Sequence, residues 1–100
     1  MQFSEVVSKM KEIKQKYQET PTGSLWKAAE YTQGLVGDVG DLTKLIMAKN
    51  GLRTMDDVDQ KLSHELSDCL WAVLAIADEL EIDLEKEFVK NMDELKQRIA

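Results

Sequence analysis

The sequence predicts an all-α domain, and three observations support this class. Apolar residues recur at spacings of three and four along every long segment, which is the pattern of amphipathic helices. Turn-forming residues separate these segments. No segment alternates with the two-residue period of a strand. The length of 100 residues is enough for one domain, so a single unit over residues 1–100 is expected.

The first helix is predicted from a stripe of apolar residues near the amino terminus. Lysines and acids fill its other face, as expected for a helix with one buried side. Its apolar residues are Phe3, Val6, Val7, Met10, Ile13 and Tyr17. A turn is predicted next, because Pro21 and Gly23 stand close together in Thr20-Pro21-Thr22-Gly23.

Two longer helices are expected over roughly residues 25–50 and 55–80. Asn50-Gly51 is typical of a helix C-terminus, and Thr54 is a candidate N-cap for the next helix. The last helix is expected after Asp83, another candidate N-cap. Its apolar stripe consists of Leu84, Phe88, Met92, Leu95 and Ile99.

The third helix contains an apolar stretch, residues 69–77, that covers its whole circumference. Such a helix must be covered on every side. Two short amphipathic helices do not supply that cover, so part of the stretch is expected to pack against a second copy of the chain.

Composition excludes several classes of protein. The net charge is −6, whereas a nucleic-acid binder normally carries a basic patch. No run of apolar residues is long enough to span a membrane, and the first residues do not resemble a signal peptide. The lone Cys69 cannot form an internal disulfide, which fits a reducing compartment. We therefore expect a cytoplasmic protein that binds neither a nucleic-acid polymer nor a membrane.

Two pairs of acids interrupt the apolar middle helices. Asp38 and Asp41 are three residues apart, as are Glu65 and Asp68, so each pair shares one helical face. Counted from the expected helix ends, an antiparallel hairpin places Asp41 level with Glu65 and Asp38 level with Asp68. Four carboxylates near a core require neutralisation, and oxygen ligands suit Mg²⁺, with Mn²⁺ as a substitute. The simpler interpretation is two solvated acidic faces.

Three glycines, Gly34, Gly37 and Gly40, lie inside the second helix. Each costs about 1 kcal/mol relative to alanine there. They either let another helix approach closely or make room for a ligand, and the two interpretations are compatible.

The acidic segments resemble a known family. Leu35-Val36-Gly37-Asp38-Val39-Gly40-Asp41-Leu42, and Glu65-Leu66-Ser67-Asp68-Cys69-Leu70-Trp71 after 23 intervening residues, resemble the E-x-x-E and E-x-x-D motifs of MazG-like nucleotide pyrophosphohydrolases. The glycine-flanked first motif is most similar to the dCTP-pyrophosphatase-like branch of this all-α superfamily. The resemblance extends from about Trp26 to Arg98. It implies a four-helix MazG-like bundle completed by homodimerisation, with a homotetramer, a dimer of dimers, as the larger alternative.

The resemblance also implies an activity and its residues. The activity is Mg²⁺-dependent hydrolysis of a nucleoside or deoxynucleoside triphosphate to the monophosphate and pyrophosphate, in the house-cleaning of non-canonical or excess dNTPs. Relatives hold the metal with these acids, here Asp38, Asp41, Glu65 and Asp68, where it neutralises phosphate charge and acidifies the attacking water. Which carboxylate accepts the proton of that water stays open.

The resemblance suggests substrate-binding residues as well. Trp26 and Trp71 are candidates to stack on the base, although core packing is the alternative for both. Lys90 and Asn91 are candidates to contact the triphosphate, as are Lys96 and Arg98, although a solvated face is the alternative. Asn91 is preferred, because its neighbours Val89 and Met92 are expected to be buried.

One departure from the family pattern favours a different function. The first pair is normally two glutamates, and both are aspartates here, whose carboxylates sit one methylene closer to the backbone. The alternative is therefore a non-catalytic helical interaction or regulatory module that keeps the fold with an altered metal site. His64 is the only histidine, which excludes a histidine-rich metal site and leaves it a solvated or supporting role. Cys69 is expected to be a small buried residue.

Overall fold

The structure, a computed structural model, describes residues 1–100 and is all-helical. It contains no strand, so the predicted fold class is confirmed at this level. Four α-helices are joined by turns, with one 3-10 turn at Gly23–Leu25: α1 at Phe3–Gln18, α2 at Ala28–Lys49, α3 at Val58–Glu79 and α4 at Leu84–Ile99. None of these helices has both the length and the apolar content needed to cross a membrane.

The turn after α1 depends on a glycine, as the sequence predicted. The Thr20 hydroxyl donates to the Tyr17 carbonyl at 2.6 Å and accepts from the Gly23 amide at 3.0 Å. A Cβ at Gly23 would lie 1.9 Å from the Tyr17 carbonyl oxygen, a distance that no real contact permits. The turn therefore cannot keep this shape with any other residue at position 23.

Helices α2 and α3 form the antiparallel hairpin on which the site is built. Asn50 caps α2, and Gly51 follows with φ +79°, as predicted for this C-terminus. The prediction of Thr54 as the next N-cap is wrong. The turn continues to Asp57, whose left-handed φ of 54° redirects the chain into α3. At the other end of α3, Asp83 caps α4 as predicted, and its carboxylate accepts from the Lys86 amide.

Helix α1 packs against the C-terminal half of α3 around a buried lysine. The side chain of Lys14 is only 7% exposed, and its Nζ lies 2.8 Å from Asp78 Oδ2 and 3.5 Å from Glu79 Oε2. Burial lowers the pKa of Lys14, but the hydrogen bond to Asp78 and both carboxylate charges outweigh it, so the net pKa is raised. The ion pairs thus fix α1 on α3 with the lysine charged.

Aromatic rings fill the space between α1, the turn and the hairpin. Tyr17, Trp26, Tyr31 and Trp71 form a chain of edge-to-face contacts, with centroid separations of 5.8, 5.3 and 6.2 Å. Tyr31 is 1% exposed and stands at the centre. Such pairs add to the stability that comes from burial alone.

The core of the single chain is incomplete. Helix α4 buries none of its residues, and its apolar stripe is open to solvent. Val89 is 54% and Met92 41% exposed, so the expectation that they are buried is wrong for one chain, because nothing packs along α4. In the apolar stretch of α3, four residues are buried, whereas Leu70 and Val73 stay exposed. The radius of gyration is 16.0 Å, against about 13 Å for a compact domain of this length.

The glycines of α2 have different surroundings, so replacing them by alanine is expected to change the stability of the chain by different amounts. A Cβ at Gly34 would lie 3.3 Å from the Trp26 ring, whereas one at Gly37 would meet nothing within 4 Å. Gly37→Ala is therefore expected to stabilise the chain by up to about 1 kcal/mol through helix propensity, and Gly34→Ala to gain less. Urea denaturation measures both. A loss of stability in Gly37→Ala would show that this face is closely covered.

Candidate metal centre

Three of the four predicted carboxylates come together across the hairpin. Asp38 of α2 faces Glu65 and Asp68 of α3, and one carboxylate oxygen from each lies within 4.8 Å of the others. All three side chains are partly buried. The i, i+3 spacing on α3 puts Glu65 and Asp68 on one face, and the antiparallel register brings Asp38 to the same height.

The fourth carboxylate, Asp41, does not join this set. It is exposed on α2 and lines the groove next to Glu65, one helical turn closer to the hairpin turn than Asp38. Its charge still contributes to the raised pKa of Glu65. The expected cluster of four is therefore a triad, defined as Asp38, Glu65 and Asp68, with Asp41 beside it.

The three carboxylates of the triad repel one another. Burial is the largest cause of the raised pKa of Glu65, followed by the close approach of the Asp38 carboxylate and by the charges of Asp38, Asp68 and Asp41. Glu65 Oε1 is buried and has no hydrogen-bond partner. No lysine or arginine pairs with the triad, and the one basic contact is His64 Nε2, 3.3 Å from Asp68 Oδ2.

The donor set fits a hard divalent cation. Every donor is a carboxylate oxygen, the type that Mg²⁺ prefers. Opposite ligands of an octahedral Mg²⁺ stand about 4.2 Å apart, twice a bond of about 2.1 Å. The triad oxygens lie within 4.8 Å of one another, so small side-chain rotations bring them into range. The unpartnered Glu65 Oε1 is the donor atom whose burial a cation would compensate.

The electrostatics predict a pH-dependent gain in stability when Glu65 is made neutral. The pKa of Glu65 is raised in the folded chain, so its ionised form opposes folding, and the penalty disappears as the pH falls to the ordinary glutamate range, about 4.3. Glu65→Gln removes two close like-charge pairs, each of which destabilises the folded chain by about 0.5 kcal/mol. The gain in the free energy of unfolding corresponds to a rise in Tm of about 4–8 °C at neutral pH.

Thermal unfolding in a chelator at several pH values measures this gain. Glu19→Gln, an exposed position on the C-terminal cap of α1, serves as the control and is expected to leave Tm unchanged. A gain in Glu65→Gln that did not shrink with falling pH would contradict the explanation.

His64 and Cys69 flank the triad without joining it. The His64 side chain is 76% exposed beside Asp68, which is a solvated, supporting position of the kind predicted. Cys69 is partly buried, and burial, followed by the charges of Asp38, Glu65 and Asp68, raises the pKa of its thiol. A thiol that resists ionisation is a poor nucleophile.

The predicted base-stacking residues lie within the aromatic chain. Trp26 contacts Tyr17 and Tyr31, and Trp71 contacts Tyr31, so both take part in packing. Trp71 follows Asp68 by three residues and shares its face of α3, whereas Trp26 packs over Gly34. Both tryptophans are partly buried.

Within one chain, the residues predicted to bind the triphosphate do not lie at the triad. Lys90 and Asn91 are exposed on α4, and the side chain of neither residue makes a hydrogen bond or an ion pair. Lys96 and Arg98 in the last turn are also exposed. Because α4 makes no extended contact with α2 or α3, these side chains would need an assembly that places α4 against the hairpin.

Sequence reasoning missed two lysines close to the triad. Lys44 and Lys61 line the same groove as Asp41 and Glu65. The signal was present, because Lys44 stands as far before Asn50 as Lys61 does after Met55. The count that paired the carboxylates therefore pairs the lysines too.

A comparison with known proteins found a relative in a bacteriophage. The chain is 32% identical over 71 residues to the Gene 37 protein of Mycobacterium phage L5, an alignment that covers 67% of this chain and 61% of that protein. The chain thus spans about three fifths of the length of this relative. No family model and no solved structure matches the chain.

Proposed function

We propose that this chain is a MazG-like nucleotide pyrophosphohydrolase that uses Mg²⁺, with Mn²⁺ as a substitute. The observation that carries the proposal is the triad. Residues of the two resembling motifs, far apart in sequence, place carboxylate oxygens within 4.8 Å of one another, with a buried Glu65 oxygen left unpartnered. The substrate would be a nucleoside or deoxynucleoside triphosphate, and the role the cytoplasmic house-cleaning of non-canonical or excess dNTPs.

In this proposal Asp38, Glu65 and Asp68 bind the cation. When bound, Mg²⁺ supplies charge neutralisation at the phosphates and a more acidic water. Asp41 lies outside the triad but lines the groove with Glu65, so its carboxylate is free to accept the proton of the attacking water. Water adds to the α-phosphorus, the bond from that phosphorus to the β-phosphate oxygen breaks, and pyrophosphate leaves.

Trp26 and Trp71 remain the candidates for contact with the base. Their indole rings would stack on a flat heterocycle. Lys90 and Asn91 remain the candidates for the phosphates, provided that α4 of one copy reaches the hairpin of another.

We further propose that the working unit is a homodimer, with a homotetramer as the larger alternative. Three apolar residues of α3, Leu66, Leu70 and Val73, are 54%, 49% and 38% exposed and share one face at i, i+4 and i+7. The apolar stripe of α4 is open as well. Exposed apolar faces of this kind mark interaction sites.

The experiment that tests the activity offers the purified chain a panel of canonical and modified dNTPs. Pyrophosphate release is measured with Mg²⁺, with Mn²⁺ and with a chelator. The proposal predicts release that depends on the metal for at least one nucleotide.

If no nucleotide of the panel gives metal-dependent release of pyrophosphate, the result would instead support the non-catalytic module. The aspartates at positions 38 and 41, and the position of Asp41 outside the triad, are the observations that favour that alternative.

A further inference from the structure

A groove of about 560 Å³ runs from the triad toward the hairpin turn. Its walls are α2 on one side and α3 on the other, and Glu65 belongs to both the groove and the triad. Only two of its lining residues, Leu45 and Met55, are apolar. The groove therefore continues from the candidate metal centre and is lined mainly by charged and polar residues.

Two lysines line this groove, one on each wall. Lys44 follows Asp41 by three residues on α2, and Lys61 precedes Glu65 by four on α3, so both stand about one helical turn, 5.4 Å, beyond those acids. Neither lysine has a carboxylate within 4 Å. Lys49, a turn further along α2, does pair with Asp59. Two lysines that line one groove and form no ion pair attract an anion.

The other charges of the groove restrict which anion fits. Asp41, Asp57 and Glu65 line it as well, so a free anion meets repulsion as well as attraction. An anion whose one end is held with a cation at the triad avoids this conflict, and its other end then reaches the lysines. An extended polyphosphate has this charge distribution.

We propose that Lys44 and Lys61 bind the distal phosphates of the substrate and, after hydrolysis, the pyrophosphate product. This inference rests on the proposed function, because it places the nucleotide end of the polyphosphate at the triad. Each lysine contributes a charge-assisted hydrogen bond. The pair thus sets the direction of the substrate in the groove, with the base away from the hairpin turn.

Calorimetric titration with inorganic pyrophosphate in the presence of Mg²⁺ tests the inference. The wild type is expected to bind pyrophosphate only when the metal is present. Lys44→Gln and Lys61→Gln are each expected to weaken binding about tenfold, the factor that corresponds to loss of about 1.4 kcal/mol. Lys9→Gln, an exposed and unpaired lysine of α1, is the matched control and is expected to bind as the wild type does. Because Lys44 and Lys61 are also exposed, their variants are expected to fold, which circular dichroism verifies.

The outcomes separate this inference from the proposed function. If nucleotides are hydrolysed while both lysine variants keep wild-type pyrophosphate affinity and KM, the lysine site is wrong and the function stands. If pyrophosphate binds with the expected lysine dependence but no nucleotide is hydrolysed, the site stands and the function is wrong. Failure of the wild type to bind pyrophosphate with Mg²⁺ would overturn the inference.

Discussion

Replacing Glu65 by glutamine is expected to lower the proposed metal-dependent pyrophosphate release by about 100- to 1000-fold. The size follows from the loss of charge stabilisation at the reacting phosphate, for which single groups contribute factors of this order. Glu65 is the central member of the triad, because Asp38, Asp68 and Asp41 all act on its pKa. Glutamine keeps the shape of the side chain but removes the charge that a divalent cation requires.

Steady-state kinetics of Glu65→Gln beside Glu19→Gln measure this effect. The control lies at the C-terminal cap of α1, away from the hairpin, and is expected to retain full activity. Equal release by wild type and Glu65→Gln would place the activity in a contaminant or at another site. Because the neutral variant is also expected to be more stable, a loss of activity could not be attributed to unfolding.

Replacing Leu70 by lysine is expected to separate the proposed dimer. Leu70 is 49% exposed in the single chain, at the centre of the open stripe with Leu66 and Val73. Removing a buried leucine costs about 1.5–3 kcal/mol, and burying an ammonium group adds a further penalty. The dimer dissociation constant should therefore rise at least about 100-fold.

Analytical ultracentrifugation of the wild type and Leu70→Lys measures the change. Leu52→Lys is the control, since Leu52 is 71% exposed in the hairpin turn and outside the stripe, and it is expected to leave the dimer intact. A wild type that is monomeric at tens of micromolar would contradict the dimer proposal, and so would a dimer that Leu70→Lys leaves unchanged.

The helical fold could be read from the sequence because local signals agree with it. The apolar spacing predicted all four helices, and Gly23, Asn50-Gly51 and Asp83 end or begin elements where expected. The start of α3 was misplaced, because Thr54 has N-cap chemistry but the turn continues to Asp57. The left-handed conformation of Asp57 comes from how the turn closes, which residue type alone does not reveal.

The triad was predictable because it depends on register alone. Two i, i+3 pairs in an antiparallel hairpin must meet at a height that counting gives, and three of the four carboxylates do so. Counting does not show that Asp41 is exposed and lies outside the triad. It also does not place α4, since an amphipathic helix specifies which face is buried but not against what. For this reason the sequence did not predict the exposure of Val89 and Met92.

Titration of the protein with Mn²⁺ tests the central claim, that the triad binds a divalent cation, most directly. Calorimetry should show saturable binding to the wild type, because three carboxylate oxygens that lie within 4.8 Å of one another suit a hard divalent cation. Asp38→Asn and Glu65→Gln should bind at least about tenfold more weakly, and Glu19→Gln should bind normally. Binding that is equally strong in both triad variants, or absent from the wild type at millimolar Mn²⁺, would contradict the claim.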